Sequence, residues 1–204
     1  HSNLRRQRQM CIRDRRKRDV KSNEAGVKYY LLGVFASGVL LYGMSFLYGT
    51  TGSTKLTEIG AALSGDLTGM QVLAVVFVVA GFAFKISAVP FHTWAPDTYE
   101  GAPTPVTAFL SVASKSAGFV ALLTVLYLGL YGADEVHGPF IWTMAALTMT
   151  VGNMVALRQT NIVRMLAYSS VSQGGFILMP LAVMGTGAAE SSLRAVVIYL
   201  LIYA

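Results

Sequence analysis

FKISAVPFHTWAPDTYEGAPTPVTAFLSVASK, running from Phe84 to Lys115, decides how the rest of the chain is read. Lysines stand near its start and at its end, and each adjoins an uncharged apolar run, Met70–Phe84 before Lys85 and Pro105–Ser114 before Lys115. Prolines at 90, 96, 103 and 105 interrupt the segment between them. A lysine near a bilayer midplane costs roughly 2.5–3.5 kcal/mol on insertion scales, so such residues face a bundle interior and carry function. Proline removes a backbone donor and breaks a helix, which lipid tolerates only where the freed carbonyls meet protein or a water-filled cavity. Two intramembrane lysines flanking a broken helix read as an ion path.

Composition agrees with a membrane setting. Of 204 residues, 54% are hydrophobic and 13% charged, against about 25% charged in soluble domains. Several apolar runs approach the roughly 20 residues that a spanning helix needs, and they lack the alternation of transmembrane barrel strands. The expected fold class is all-α: a polytopic membrane helix bundle with about five full transmembrane helices plus the start of a sixth, one helix being broken. The net charge of +6 is local, since residues 1–21 hold nine of the 16 basic residues and two of the ten acidic ones. Basicity therefore belongs to the tail and implies no nucleic-acid partner for the body. The one cysteine, Cys11, is also in the tail, so no disulfide framework or cysteine metal site forms within one chain. No nucleotide loop, metal cluster or nucleophile constellation points to a soluble enzyme.

Outward from the deciding stretch, the chain divides into a basic tail, 1–21, and a membrane domain, 22–204. The tail lacks the apolar region of a signal peptide and reads as a disordered charge run or as sequence foreign to this protein. The first helix begins at Ser22-Asn23-Glu24, with Ser22 or Asn23 as N-cap and Glu24 favourable near the helix N-terminus. It runs over Gly26–Tyr48, and Glu24 and Lys28 share one side at i, i+4. A polar loop is expected over Gly49–Gly69. The second helix starts near Met70 and is too short to span before Lys85, so Ser87–Pro90 breaks it and Pro90–Tyr99 completes the crossing. Lys85 sits at the break, where the last carbonyls of the first half favour a cation, and is expected to be shielded from lipid. Asp97 and Glu100 lie at the membrane surface, with Thr104 as N-cap and Pro105 at the first position of a third helix that reaches Tyr131. Lys115 is then about 15 Å into that helix by rise, near Ser111, Ser114 and Ser116. Helix four is expected over Pro139–Leu157, with Asp134–His137 in a loop before it. Helix five follows the Arg158–Arg164 turn to about Met184, carrying the polar patch Tyr168–Gln173. Leu193–Ala204 opens a sixth helix that is too short to span, so the chain is expected to be truncated at both ends. Lysine and arginine in short loops place the tail and the Arg158–Arg164 turn together on the cytoplasmic side.

From Glu24 onward the sequence resembles the antiporter-like membrane subunits of the proton-pumping NADH:quinone oxidoreductase (respiratory complex I), subunit N in particular. The resemblance is carried by EAGVKYYLLGVFASGVLLYGMSFLYG, by the Phe84–Lys115 stretch and by RQTNIVRMLAYSSVSQGGF, in that order and spacing. It implies the sixth to eleventh of fourteen helices, the seventh being discontinuous. By position, Lys85 matches the family lysine of the broken helix, Lys115 that of the next helix, and Lys28 a lysine of the one before. The family's glutamate on the fifth helix and lysine on the twelfth fall outside the chain, and Gln173 stands where many relatives carry histidine.

The function that the resemblance implies is proton translocation driven by quinone reduction elsewhere in the complex, in the bacterial inner membrane. NADH, FMN, iron–sulfur clusters and quinone are expected in other subunits, with no cofactor in this chain. The expected partners are other membrane subunits of the complex, antiporter-like and small helical ones, and the lipid bilayer. Lys85, Lys115, Lys28, Glu24 and His92 are the candidate proton-transfer residues. Burial and nearby charge suit a lysine to this role. His92 either links Lys85 with the cytoplasm or is a hydrogen-bonded packing residue beside Trp94. Two other readings stand beside this one: a cation/proton antiporter subunit without redox coupling, and a structural scaffold whose lysines only pair helices. Lys28, Lys85 and Lys115 are expected to share one polar axis through the bundle.

Overall fold

The computed structural model of the chain describes residues 19–203, and every regular element among them is a helix. The disorder expected of the basic tail, 1–21, lies outside the described residues as far as residue 18, but its last residues depart from that expectation. Asp19 caps the first helix, Val20 and Lys21 open it, and Lys21 stands 3.5 Å from Glu100. α1, Val20–Thr51, starts earlier than the sequence reading placed it, because the Asp19 side chain caps it by accepting the Lys21 N–H. It ends at Gly52, whose left-handed φ of 70° lets its N–H reach the Tyr48 carbonyl. The segment expected to be a plain loop holds a short helix, α2 (Leu56–Ala62), with Glu58 in its first turn. α3, Gly69–Lys85, begins with a reciprocal capping box between Thr68 and Gln71.

The chain breaks after Lys85, as the prolines require. The second half, α4 (Trp94–Gly101), begins four residues later than expected, because Ala88–Phe91 and His92–Ala95 each close a hydrogen-bonded turn instead of extending a helix. α5, Thr104–Leu128, has Pro103 rather than Thr104 at its N-cap and contains a π-helical turn over Leu110–Ser114, immediately before Lys115. α6, Asp134–Ala156, absorbs the expected acidic loop: Asp134 and Glu135 sit in its first turn, where the helix dipole favours them. Pro139 is tolerated because it lies within the first two turns and removes few internal bonds. α7, Ile162–Leu178, is capped by the Asn161 side chain on the Val163 N–H and continues as a 3₁₀ stretch to Thr186. α8 is Ala189–Tyr203.

Four helical stretches are long and apolar enough to cross a membrane, Val20–Thr51, Thr104–Leu128, Tyr131–Ala156 and Ile162–Thr186. α3 is shorter and apolar on nearly all sides. Outward faces stay hydrophobic: Leu31, Phe35, Leu41, Trp142 and Leu166 are all exposed. A surface of that kind is stable against lipid and costly against water. The chain is an all-α, multi-pass membrane helix bundle. α1 packs along α3 and α4, and α6 packs along α7. Gly152 makes the second contact possible, because a Cβ there would stand 2.8 Å from the Ser172 backbone nitrogen. A smaller apolar cluster, including Phe84, Val89, Trp94, Tyr99, Leu110 and Val171, surrounds the break and joins its two halves to α5 and α7.

Candidate functional site

At the break, backbone polar groups that leave the helix must find partners in a place without bulk water. The Ala88 N–H reaches back to Ala83 O at 2.8 Å, and the Val89 N–H is received by the Thr148 hydroxyl of α6 at 2.9 Å. The Trp94 indole N–H donates to Phe84 O at 3.0 Å, tying the second half to the end of the first. Ser87 sits fully buried at φ 60°, a strained position for a residue with a Cβ. The Val89–Pro90 peptide is cis. These contacts fix a discontinuity at the point where Lys85 leaves α3.

The three lysines meet different surroundings. Lys115 is 3% exposed, and its ammonium donates to Ser170 twice, to the carbonyl and to the hydroxyl, at 2.8 Å each. Among the described residues no carboxylate lies within ion-pair distance of it. Of the serines near it on its own helix, Ser111 turns its hydroxyl to Ala108 O. Lys85 is exposed rather than shielded within this chain. Its stem crosses α5 at Gly118, where a Cβ would stand 3.1 Å from Lys85 Cγ. Its head lines a groove of about 840 Å³ whose walls include Tyr29, Gly33, Ser37, Phe84 and Gly118. Lys85 and Lys115 thus flank the same turn of α5, one on the groove side and one in the interior.

Lys28 is directed elsewhere. It pairs with Glu24 at 2.6 Å and with Asp97 at 2.9 Å, and its side chain is 45% exposed. Asp97 also receives Arg164 at 2.7 Å, and Arg164 reaches Glu100 at 3.0 Å. Asn161 donates to Glu100 at 3.1 Å, and Lys21 stands 3.5 Å from the same carboxylate. The start of α1, the end of α4 and the start of α7 are thereby clamped on one face. Partial burial pushes the Asp97 carboxyl up, but hydrogen bonds from Lys28 and Arg164 outweigh it and hold the group below its usual range. Glu100 is lowered chiefly by its bond from Arg164. Glu24 therefore belongs to a surface ion cluster together with Lys28. The lysines do not form the single interior axis expected, because Asp97 draws Lys28 outward. His92 rests edge-on against Tyr168, with ring centres 6.2 Å apart.

Residues that sequence reasoning passed over complete the interior site. Tyr203 of α8 donates to the Ser170 hydroxyl at 2.8 Å, and Tyr199 donates to Gln173. The pair Tyr199/Tyr203, at i, i+4 in an apolar helix, is the signal that would have found them. Tyr99, 4% exposed, brings a further phenol beside Ser170 and Tyr203. The interior arrangement can hold a charged or neutral amine against neutral oxygens, with hydroxyls placed to take its proton.

Comparison with known proteins gives consistent likenesses. The family described as NADH:quinone oxidoreductase/Mrp antiporter, TM, matches residues 9–204. NADH-quinone oxidoreductase subunit N 2 of Symbiobacterium thermophilum is 49% identical, over 92% of this chain and 39% of its own length. Among solved structures, a chain of respiratory complex I from Thermus thermophilus superposes with a TM-score of 0.72 at 35% identity, over 91% of this chain and 39% of that one. A chain of the Mrp complex from Dietzia sp. DQ12-45-1b gives a TM-score of 0.79 at 27% identity, over 89% of this chain and 33% of that one. The chain thus spans about two fifths of the length of the curated relative.

Proposed function

We propose that this chain, which belongs to the NADH:quinone oxidoreductase/Mrp antiporter transmembrane family, is part of a membrane subunit of a proton-translocating NADH:quinone oxidoreductase in the bacterial inner membrane. Lys115 is its central titrating group, Lys85 the lysine at the helix break, and protons move between them as quinone is reduced elsewhere in the complex. Lys28 and Glu24 act at the surface, inside the ion cluster that holds the half-helix, and His92 lies on the route between that surface and Lys85. NADH, FMN, iron–sulfur clusters and quinone belong to other subunits, and the partners are neighbouring membrane subunits and lipid.

The observation that carries this reading is the burial of Lys115 against neutral oxygens. A structural ammonium is expected beside a carboxylate, because an unpaired buried charge is strongly destabilising. A lysine that must lose and regain its proton is better served by hydroxyl and carbonyl partners, which tolerate both forms. A helix-pairing scaffold would use the same contact between α5 and α7 but would not need the lysine to titrate, which separates the two readings. The likeness in fold extends to the Mrp complex, so a cation/proton antiporter is the second reading. The higher identity to a subunit N favours the first.

Replacing Lys115 with methionine in the full complex tests it. Methionine keeps length and apolar packing while removing the titrating group. Lys115→Met should leave assembly and NADH oxidation by artificial acceptors intact, while proton pumping in closed vesicles and quinone reduction coupled to it fall strongly. Lys115→Arg should fail as well, because arginine keeps its proton. Wild-type pumping by both variants would sink the proposal and leave the scaffold. Co-purification of cation-transport subunits in place of iron–sulfur and flavin subunits would move the protein to the antiporter reading.

A further inference from the structure

Resting on that reading, we infer that Ser170 and Tyr203 form the step beyond Lys115: the serine hydroxyl bridges the lysine to the phenol of α8, and the proton released by Lys115 leaves along this bridge. Three helices contribute one group each, Lys115 from α5, Ser170 from α7 and Tyr203 from α8. The two links that connect them through the Ser170 oxygen are both 2.8 Å. Lys115 and Ser170 are buried, at 3% and 7% exposure, so bulk water does not compete for the bridge. Packing alone does not call for a hydroxyl on this residue, since phenylalanine would fill the same space. The buried phenol of Tyr99 beside Ser170 and Tyr203 gives the serine hydroxyl another neighbour with which to exchange hydrogen bonds.

In the resting arrangement Tyr203 donates to Ser170. Transfer requires both hydroxyls to turn, which their single rotatable protons allow. The N–H bond of the ammonium breaks and its proton goes to the Ser170 oxygen, as the serine O–H proton passes to the Tyr203 oxygen. The phenol O–H proton passes in turn to a water molecule beyond it. One proton leaves, Lys115 is neutral, and both hydroxyls are regenerated with their protons reversed. Gln173 and Tyr199, one turn along, repeat the α7–α8 polar contact and hold the two helices in register.

The test uses the whole complex in inverted membrane vesicles, with proton uptake followed by quenching of an acridine dye during NADH oxidation. Tyr203→Phe and Ser170→Ala should each slow uptake about tenfold, on the order of the loss of one hydrogen bond, with assembly and ferricyanide reduction unchanged. Ser170→Thr, which restores the hydroxyl, should recover pumping. Wild-type uptake by either Tyr203→Phe or Ser170→Ala overturns the inference. So does a loss of uptake that only follows a matching loss of assembled complex, since that is a packing role. Lys115→Met separates the two claims. If it pumps normally, the proposed function falls and the bridge with it. If it is inactive while Tyr203→Phe is normal, the bridge falls alone.

Discussion

At the residue scale, one side-chain type is put to three uses by its neighbours. Lys28 meets two carboxylates, Lys85 meets an open groove, and Lys115 meets a hydroxyl and a carbonyl. Sequence spacing assigns only the Glu24 partner of Lys28, at i, i+4; Asp97 and Ser170 come from helices far away in the chain. Asp97 is the residue that separates Lys28 from the other two, because it holds Lys28 and Arg164 together. Asp97→Asn should therefore loosen the clamp between α1, α4 and α7 by roughly 1 kcal/mol or less, because its partners are part-exposed and solvent screens their charges. Its pH dependence follows from the lowered carboxyls of Asp97 and Glu100. A carboxyl lower in the folded than in the unfolded state stabilises fully above the ordinary carboxylate range, about pH 4, and loses that contribution as pH falls through the folded value. Heat resistance of the purified complex should be flat in this term from pH 7 to about 5 and drop below about 4, with Asp97→Asn showing a smaller drop. An equal acid sensitivity in the variant would show that the clamp is not its source.

At the element scale, the broken helix is specified locally and completed from outside. Pro90 and the turns around it end α3, while Thr148 and Trp94 receive or supply the backbone bonds that the break leaves open. α6 and α7 are held at close range by Gly152, where an added Cβ would meet Ser172 backbone atoms at 2.8 and 2.9 Å. Backbone cannot yield as a flexible side-chain tip can, so Gly152→Ala should push the helices apart. The cost expected for such overpacking is about 1–3 kcal/mol, read as less assembled complex on a native gel. The same shift would move Ser170 on α7 relative to Lys115, so residual pumping per assembled complex should also fall. Unchanged assembly and pumping would show that α6 and α7 can slide without consequence.

At the scale of the whole molecule, the ion cluster fixes which ends share a face. Lys21, Lys28, Asp97, Glu100 and Arg164 touch one another, so the start of α1, the end of α4 and the start of α7 lie together. That agrees with the side on which loop charges put the tail and the Arg158–Arg164 turn. A topology experiment checks that this side is cytoplasmic. In a complex lacking Cys11, Gln159→Cys should react with an impermeant maleimide in inverted vesicles, and Gly65→Cys should react in right-side-out ones. The reverse pattern would turn the molecule over in the membrane and reverse the direction assigned to the Lys85 and Lys115 route.

The sequence by itself determined the membrane class, the helical content, the break between Lys85 and the half-helix, and the burial of Lys115. These follow from local causes: apolar run length, proline's missing donor, and the cost of charge in lipid. It also marked the polar patch of Tyr168–Gln173 without saying what the patch meets. Tertiary structure alone decided that Ser170 receives Lys115, that Tyr203 reaches the same oxygen, that Asp97 takes Lys28 away from the interior, and that Lys85 opens onto a groove. Each of those outcomes depends on contacts between residues separated by 33 to 69 positions or on a space enclosed by several helices. No periodicity along one helix encodes the rotation of another about its axis, and that rotation selects which polar side chain a buried lysine finds.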